Sequence, residues 1–214
     1  MLSRLRHLPL PSWPVLLYWG ALLGALYAFV ELAEEVYEKE GFSFDQPILT
    51  WLNSHQSPPL TTLFLALSFI GSVFFLGPLT LALVAALWQR SQRSAVFLIL
   101  GVGGAVALNF AFKALLARVR PDLFPQLSPV GGFAFPSGHT MASTGFFLTL
   151  FLIVRRLAPR WQGVAATVGL LLTLGIGLSR NYLQVHYPSD VLAGWALSSA
   201  WVLGVNLPYA RARG

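Results

Sequence analysis

The sequence predicts an all-α, polytopic membrane protein: six spanning helices, both termini in the cytoplasm, and a short amphipathic helix on the outer face. Three observations predict it. Of 214 residues, 56% are hydrophobic and 10% charged, whereas an ordinary globular domain carries roughly 25% charged residues; so few charges cannot cover a soluble surface. The apolar residues also fall in runs of spanning length, roughly 20 residues each. None of these runs alternates apolar with polar residues as a barrel strand would. The helix is therefore the form that satisfies the backbone amides within lipid. The absence of cysteine excludes disulfides, thiolate nucleophiles and zinc–thiolate sites.

The first span is expected over about Trp13 to Ala33. Arg4 and Arg6 ahead of an apolar run resemble the start of a signal peptide, but no small-residue cleavage site follows, so the run reads as a span. Gly20-x3-Gly24 fits small-residue helix packing and is expected to pack within the bundle. The polar stretch from Glu34 to Pro59 follows. Asp45 reads as a helix cap with Pro47 just inside, and Ile48, Leu49 and Leu52 recur at helical spacing, predicting an amphipathic helix on the outer surface. It acts as a structural strap or, on a sharper reading, as a lid. The second span, Leu60 to Trp88, is long enough to tilt or bend, with Gly71 and Gly77-Pro78 as breaking points. The third runs from Ser94 to Leu116, the fourth from Ser137 to Leu157, the fifth from Gly163 to Leu183 and the sixth from Ser189 to Pro208. Residues 1–214 read as one integral membrane domain. Trp13, Trp51, Trp88, Trp161, Tyr187 and Tyr209 stand near span ends and read as interface anchors.

The net charge of +6 would suggest a nucleic-acid partner on a soluble protein; its distribution argues otherwise. Six spans place Arg4, Arg6, Arg90, Arg93, Arg155, Arg156, Arg160, Arg211 and Arg213 on one side with no acid. Every acid falls on the other: Glu31, Glu34, Glu35, Glu38, Glu40, Asp45, Asp122 and Asp190. The positive-inside rule assigns the arginine side, with both termini, to the cytoplasm. The basic excess is thus a topological signal, and neither nucleic acid nor an obligate protein partner is expected.

Ionisable residues within spans are costly and mark function. Lys113, Arg120, His139, Arg180, His186 and Asp190 stand where the third and fifth spans end outside and the fourth and sixth begin there. Four helix ends meeting on the outer side make one polar pocket. Lys113 and Arg120 are two helical turns apart and so share a face, until Pro121 disfavours continuing the helix. Ser137 is a good N-cap for the fourth span, and the free amides of that helix start favour an anion. Asp190, one turn after His186 with Pro188 between, is spaced to accept a bond from the imidazole and fix its tautomer. Three permanent cations suit a phosphate group. No carboxylate cluster stands ready for magnesium, and the cations oppose zinc at the two histidines; neither a metal nor another cofactor is expected. Outside this group, His55 reads as a surface residue of the strap, His7 as inert, and Asn109 as a hydrogen-bonding partner for a neighbouring helix. Arg118 and Asp122 pair with each other or meet a lipid headgroup.

Lys113-x6-Arg120-Pro121, Pro136-Ser137-Gly138-His139 and Ser179-Arg180-x5-His186-x3-Asp190 together resemble the three-part signature of the type 2 phosphatidic acid phosphatase superfamily, bacterial membrane type. The motif core spans residues 113–190, and the expected topology extends the likeness over nearly the whole chain. The resemblance implies that His186 is the nucleophile, forming a phosphohistidine, that Asp190 orients it, and that His139 protonates the leaving group and then activates water. It further implies that Lys113, Arg120, Ser137, Gly138 and Arg180 hold the phosphate, with Ser179 in a supporting role.

The expected function is metal-independent hydrolysis of a membrane lipid monophosphate or diphosphate at a site facing the periplasm or exterior. Undecaprenyl diphosphate ranks first among substrates, then phosphatidylglycerol phosphate and phosphatidic acid. Two rivals stay open: transfer of phosphate to an acceptor other than water, and transport of a phosphorylated solute. The clustering of charge at one end, with no polar track to the cytoplasm, weighs against transport.

Overall fold

The computed structural model describes residues 12–211. Arg4, Arg6, His7 and Arg213 lie outside the described residues. The elements are α1 (Trp13–Tyr37), α2 (Asp45–Ser54), α3 (Pro58–Ile70), α4 (Val73–Trp88), α5 (Gln92–Leu116), α6 (Gly138–Leu157), α7 (Gln162–Tyr182) and α8 (Pro188–Arg211), with a 3₁₀ turn at Pro159–Trp161. Five helices are long and apolar enough to cross a membrane, and α3 with α4, bent by 42°, supply a sixth span when taken as one. The all-helical expectation holds among the described residues.

Local chemistry sets the helix ends. Prolines stand in the first turn of α1 and α3, where the missing amide proton has no intrahelical acceptor to lose. Ser91 caps α5 by accepting from the Ser94 amide at 3.4 Å. The predicted second span breaks at Gly71, whose place beside Ile176 of α7 leaves no room for a Cβ. The helix then runs on through Pro78. α5 stops at Leu116 because Ala117 turns left-handed, with φ of 44°. Arg120 is therefore not on a continued helical face with Lys113, as the spacing suggested; a turn of the chain brings it back.

α6 is the central helix, packed against α5, α7 and α8; α1 lies on α8, and α3 on α7. Two glycines permit the approaches that bring the helix starts together. A Cβ on Gly145 would stand 2.9 Å from the Ala105 Cβ, and one on Gly194 would stand 3.0 Å from Thr140. One core, with Phe97, Phe146 and Val202, fills the arginine-rich end; another, with Phe29, Phe135, Met141 and Leu197, lies nearer the motif residues.

The strap forms as predicted. α2 buries Leu49 and Leu52 and rests on α7 and α8. Asp45 is not its cap: no side-chain capping bond forms, and the carboxylate is instead buried between elements. The small-residue face of Gly20 and Gly24 meets nothing within 4 Å, so the expected packing inside the bundle does not occur. The anchor expectation divides. Trp13, Trp51, Trp88 and Trp161 are exposed, whereas Tyr209 is buried, stacked on Phe97 at 4.2 Å, and Tyr187 lies under the Arg118 guanidinium at 4.3 Å.

Candidate active site

The end of α5, the start of α6, the end of α7 and the start of α8 converge, and backbone bonds lock them. The Ser137 amide donates to the Asp190 carbonyl at 3.0 Å, and the Ala134 amide to the Arg118 carbonyl at 2.8 Å. Asn109 of α5 donates to the Pro136 carbonyl at 2.9 Å and packs tightly on the helix start: a Cβ on Gly138 would stand 3.1 Å from the Asn109 oxygen. Asn181 of α7 donates to the His186 carbonyl at 2.9 Å.

His186 is 2% exposed and Asp190 fully buried. The His186 Nδ1 stands 3.3 Å from Asp190 Oδ2, and Arg120 Nη1 stands 3.1 Å from His186 Nε2. A guanidinium can only donate, so Nε2 is the acceptor and the ring proton sits on Nδ1, facing Asp190. Burial first, and then the charges of Arg180, Arg120 and Lys113, hold the His186 pKa well below the ordinary imidazole range. The ring is neutral, with its lone pair on the nitrogen turned towards the cations.

Lys113, Arg120 and Arg180 differ in their engagements. Lys113 donates to the Phe133 carbonyl. Arg120 also meets the Phe133 carbonyl at 3.2 Å, those of Gly131 and Gly132 at 3.0 Å each, and that of Val185 at 2.7 Å. Arg180 is 1% exposed. It donates through Nη1 to Ser68 of α3, while its Nε and Nη2 are buried without a partner. His139, in the first turn of α6, is partly exposed and within electrostatic reach of Arg180, His186, Arg120 and Lys113. Ser137 precedes α6 as expected, but its hydroxyl makes no capping bond; it accepts from the Thr140 hydroxyl at 3.0 Å. Ser179 is buried and donates to the Ile176 carbonyl at 2.6 Å.

The sequence reading missed one part of this network. Arg118 does not pair with Asp122. Its Nη1 donates to Asp190 Oδ1 at 2.6 Å and to the Ser189 hydroxyl at 2.7 Å, and its Nη2 to Asp45 Oδ2 at 2.9 Å. Burial opposes the Arg118 charge, but Asp190 and Asp45 outweigh it and raise its pKa. The available signal was an arginine two residues before Arg120, in a chain with few charges. Its partner on α2 lies far away in sequence. Beside it, a cavity of about 990 Å³ is bordered by Lys39, Phe42, Asp45, Arg118 and Tyr187. His55 remains on the strap surface, tilted against Trp51 at 4.4 Å.

Comparison with known proteins bears on the family and the fold. Residues 94–212 match the family model of the PAP2 superfamily. Undecaprenyl-diphosphatase of Sulfolobus acidocaldarius is 27% identical over 190 residues, covering 86% of this chain and 87% of that one. Phosphatidylglycerophosphatase B of Bacillus subtilis is 30% identical over 173 residues, covering 78% and 79%. The fold also matches the crystal structure of a transmembrane PAP2-type phosphatidylglycerolphosphate phosphatase from Bacillus subtilis. The TM-score is 0.82 at 24% identity, over 91% of this chain and 98% of that chain. A match over more than half the chain, together with a relative aligned along most of its own length, makes this integral membrane protein a member of the PAP2 superfamily.

Proposed function

We propose that this membrane phosphatase hydrolyses a phosphate ester or diphosphate of a membrane lipid, without a metal ion, through a phosphohistidine on His186. The observation that carries the reading is the Arg180 guanidinium, buried with Nε and Nη2 unpartnered in the same group of charges as His186, Arg120 and Lys113. A buried charged donor without a partner is costly. The edge formed by Nε and Nη2 is the fork that grips two oxygens of a phosphate.

In this reading Arg180, Arg120 and Lys113 hold the phosphate oxygens, with Ser137, Gly138 and the amides of the α6 start completing the cradle. Arg120 Nη1 leaves His186 Nε2 for a phosphate oxygen and frees the lone pair. Nε2 attacks phosphorus as the bond to the lipid oxygen breaks, and His139 donates a proton to that oxygen. Asp190 takes up the positive character of the imidazole through Nδ1. Water, deprotonated by His139, then attacks the phosphohistidine and releases inorganic phosphate. The donor set around His186 is cationic, which disfavours a metal there.

The chain works as one domain, with its termini in the cytoplasm and the site on the outer face of the cell membrane. The grouping of Arg90, Arg93, Arg155, Arg156 and Arg160 at the opposite helix ends supports this orientation. Undecaprenyl diphosphate is the preferred substrate and phosphatidylglycerol phosphate the next, in keeping with the names of the relatives; phosphatidic acid follows.

Phosphate release by the purified protein in excess EDTA tests the reading. The substrates are the three lipids and a water-soluble phosphate ester, each run beside His186→Ala. Turnover that survives EDTA, is lost in the variant and leaves a ³²P-labelled, acid-labile protein intermediate is the expected result. No release from any substrate by folded protein overturns hydrolysis; a phosphorylated acceptor in place of free phosphate would mean transfer.

A further inference from the structure

We propose that Arg118 is a positioning residue for this reaction: it holds Asp190 behind His186, and the strap helix α2 holds Arg118 through Asp45. The inference rests on the phosphohistidine reading above. Asp190 is fully buried and needs a cation in contact. Lys113, Arg120 and Arg180 make their hydrogen bonds to the Phe133 carbonyl, to loop carbonyls and His186, and to Ser68. Arg118 is the cation in ion-pair contact with Asp190. Its bond goes to Oδ1, which leaves Oδ2 for the Tyr187 amide at 2.9 Å and for the imidazole. The two carboxylate oxygens are thereby committed to different partners, and the plane that faces His186 is fixed.

Arg118 is itself held by several neighbours. Its guanidinium carbon lies 4.3 Å from the Tyr187 ring centre and 5.8 Å from that of Phe42. Asp45 accepts from it at 2.9 Å. The same Asp45 carboxylate accepts from the Ser189 amide at 2.9 Å and the Ser189 hydroxyl at 2.6 Å, in the first turn of the helix that carries Asp190. An element outside the bundle thus reaches, through one guanidinium, the residue that orients the nucleophile. This explains why α2 begins with a buried carboxylate that does not cap it.

The test measures kcat, KM and the inhibition constant of inorganic phosphate for Arg118→Met, Arg118→Lys, Asp45→Asn and the Arg118→Met/Asp45→Asn pair, with melting profiles alongside. Arg118→Met is expected to lower kcat by about 10–100-fold, the range for residues that orient a reacting group. KM and phosphate inhibition stay within about twofold, since Lys113, Arg120 and Arg180 still bind phosphate. Arg118→Lys recovers part of kcat by restoring charge without the fork. Asp45→Asn, nearly isosteric, lowers kcat by less and serves if Arg118→Met does not fold. The pair loses less than the sum of the two single losses, because part of what Asp45 does passes through Arg118. Unchanged kcat in Arg118→Met overturns the proposal. So does an equal fall in kcat and phosphate affinity that Arg118→Lys fails to relieve, or strict additivity in the pair. Wild-type protein inactive on every lipid overturns the phosphatase reading first, and this one with it.

Discussion

In the proposed mechanism two side chains carry the chemistry in opposite ways: Arg180 by what its guanidinium leaves unpartnered, His186 by the charge it does not take up. Lysine in place of Arg180 keeps a cation but loses the two-pronged edge, so Arg180→Lys is expected to lower kcat/KM by about 10²–10³-fold and to weaken inhibition by inorganic phosphate. Steady-state kinetics on any lipid the enzyme accepts checks both. His186 links the site to stability. Its folded pKa is depressed by burial and by Arg180, Arg120 and Lys113, while the unfolded imidazole takes a proton below about pH 6.5. The folded state then binds fewer protons, so this contribution is fully present above that pH and is lost as pH falls through and below it. The melting temperature is expected to drop from about pH 7 to about pH 5, and His186→Gln is expected to flatten that drop by removing the residue's share. An unchanged slope in the variant contradicts the assignment.

Helix contacts at single small residues decide where the motif residues end up. Gly104 of α5 lies against the Trp201 indole of α8, with no space for a Cβ, and that indole donates to the Leu100 carbonyl at 2.8 Å. Gly104→Ala must displace the ring and strain this bond. A loss of about 1–3 kcal/mol is expected from overpacking, seen as a lower melting temperature in detergent. Periodicity predicted α2, because the alternation of apolar and polar faces is a local property. It could not assign Asp45, whose partners Arg118 and Ser189 arrive from distant positions. The left-handed turn at Ala117 was equally illegible: alanine disfavours that conformation, and the bonds that hold the chain beyond it, such as that from the Ala134 amide to the Arg118 carbonyl, come from distant positions.

The whole molecule is polarised, with the motif residues at one end and an arginine-rich end opposite. Because the chain contains no cysteine, single cysteines report topology without background. Ser54→Cys on the strap is expected to react with a membrane-impermeant maleimide in intact cells. Gln89→Cys, between α4 and α5, is expected to react only after the membrane is opened. The reverse pattern would invert the orientation and place the site in the cytoplasm.

By itself the sequence determined the class of the protein, its all-helical spans and their order, the existence of the strap, and the cationic residues and histidines that gather at one end. These follow from quantities local to the chain: hydropathy over a helix length, charge at span ends, and fixed spacings such as that from His186 to Asp190. Only the tertiary structure decided that α3 and α4 meet at a bend of 42°, that Asp45 and Arg118 join the strap to Asp190, and that Arg180 keeps two donors unpartnered. Each of these depends on which groups distant parts of the chain bring within hydrogen-bonding reach in a buried place. A carboxylate reads alike as a cap, a surface charge or a clamp until the fold removes its water and supplies its partner.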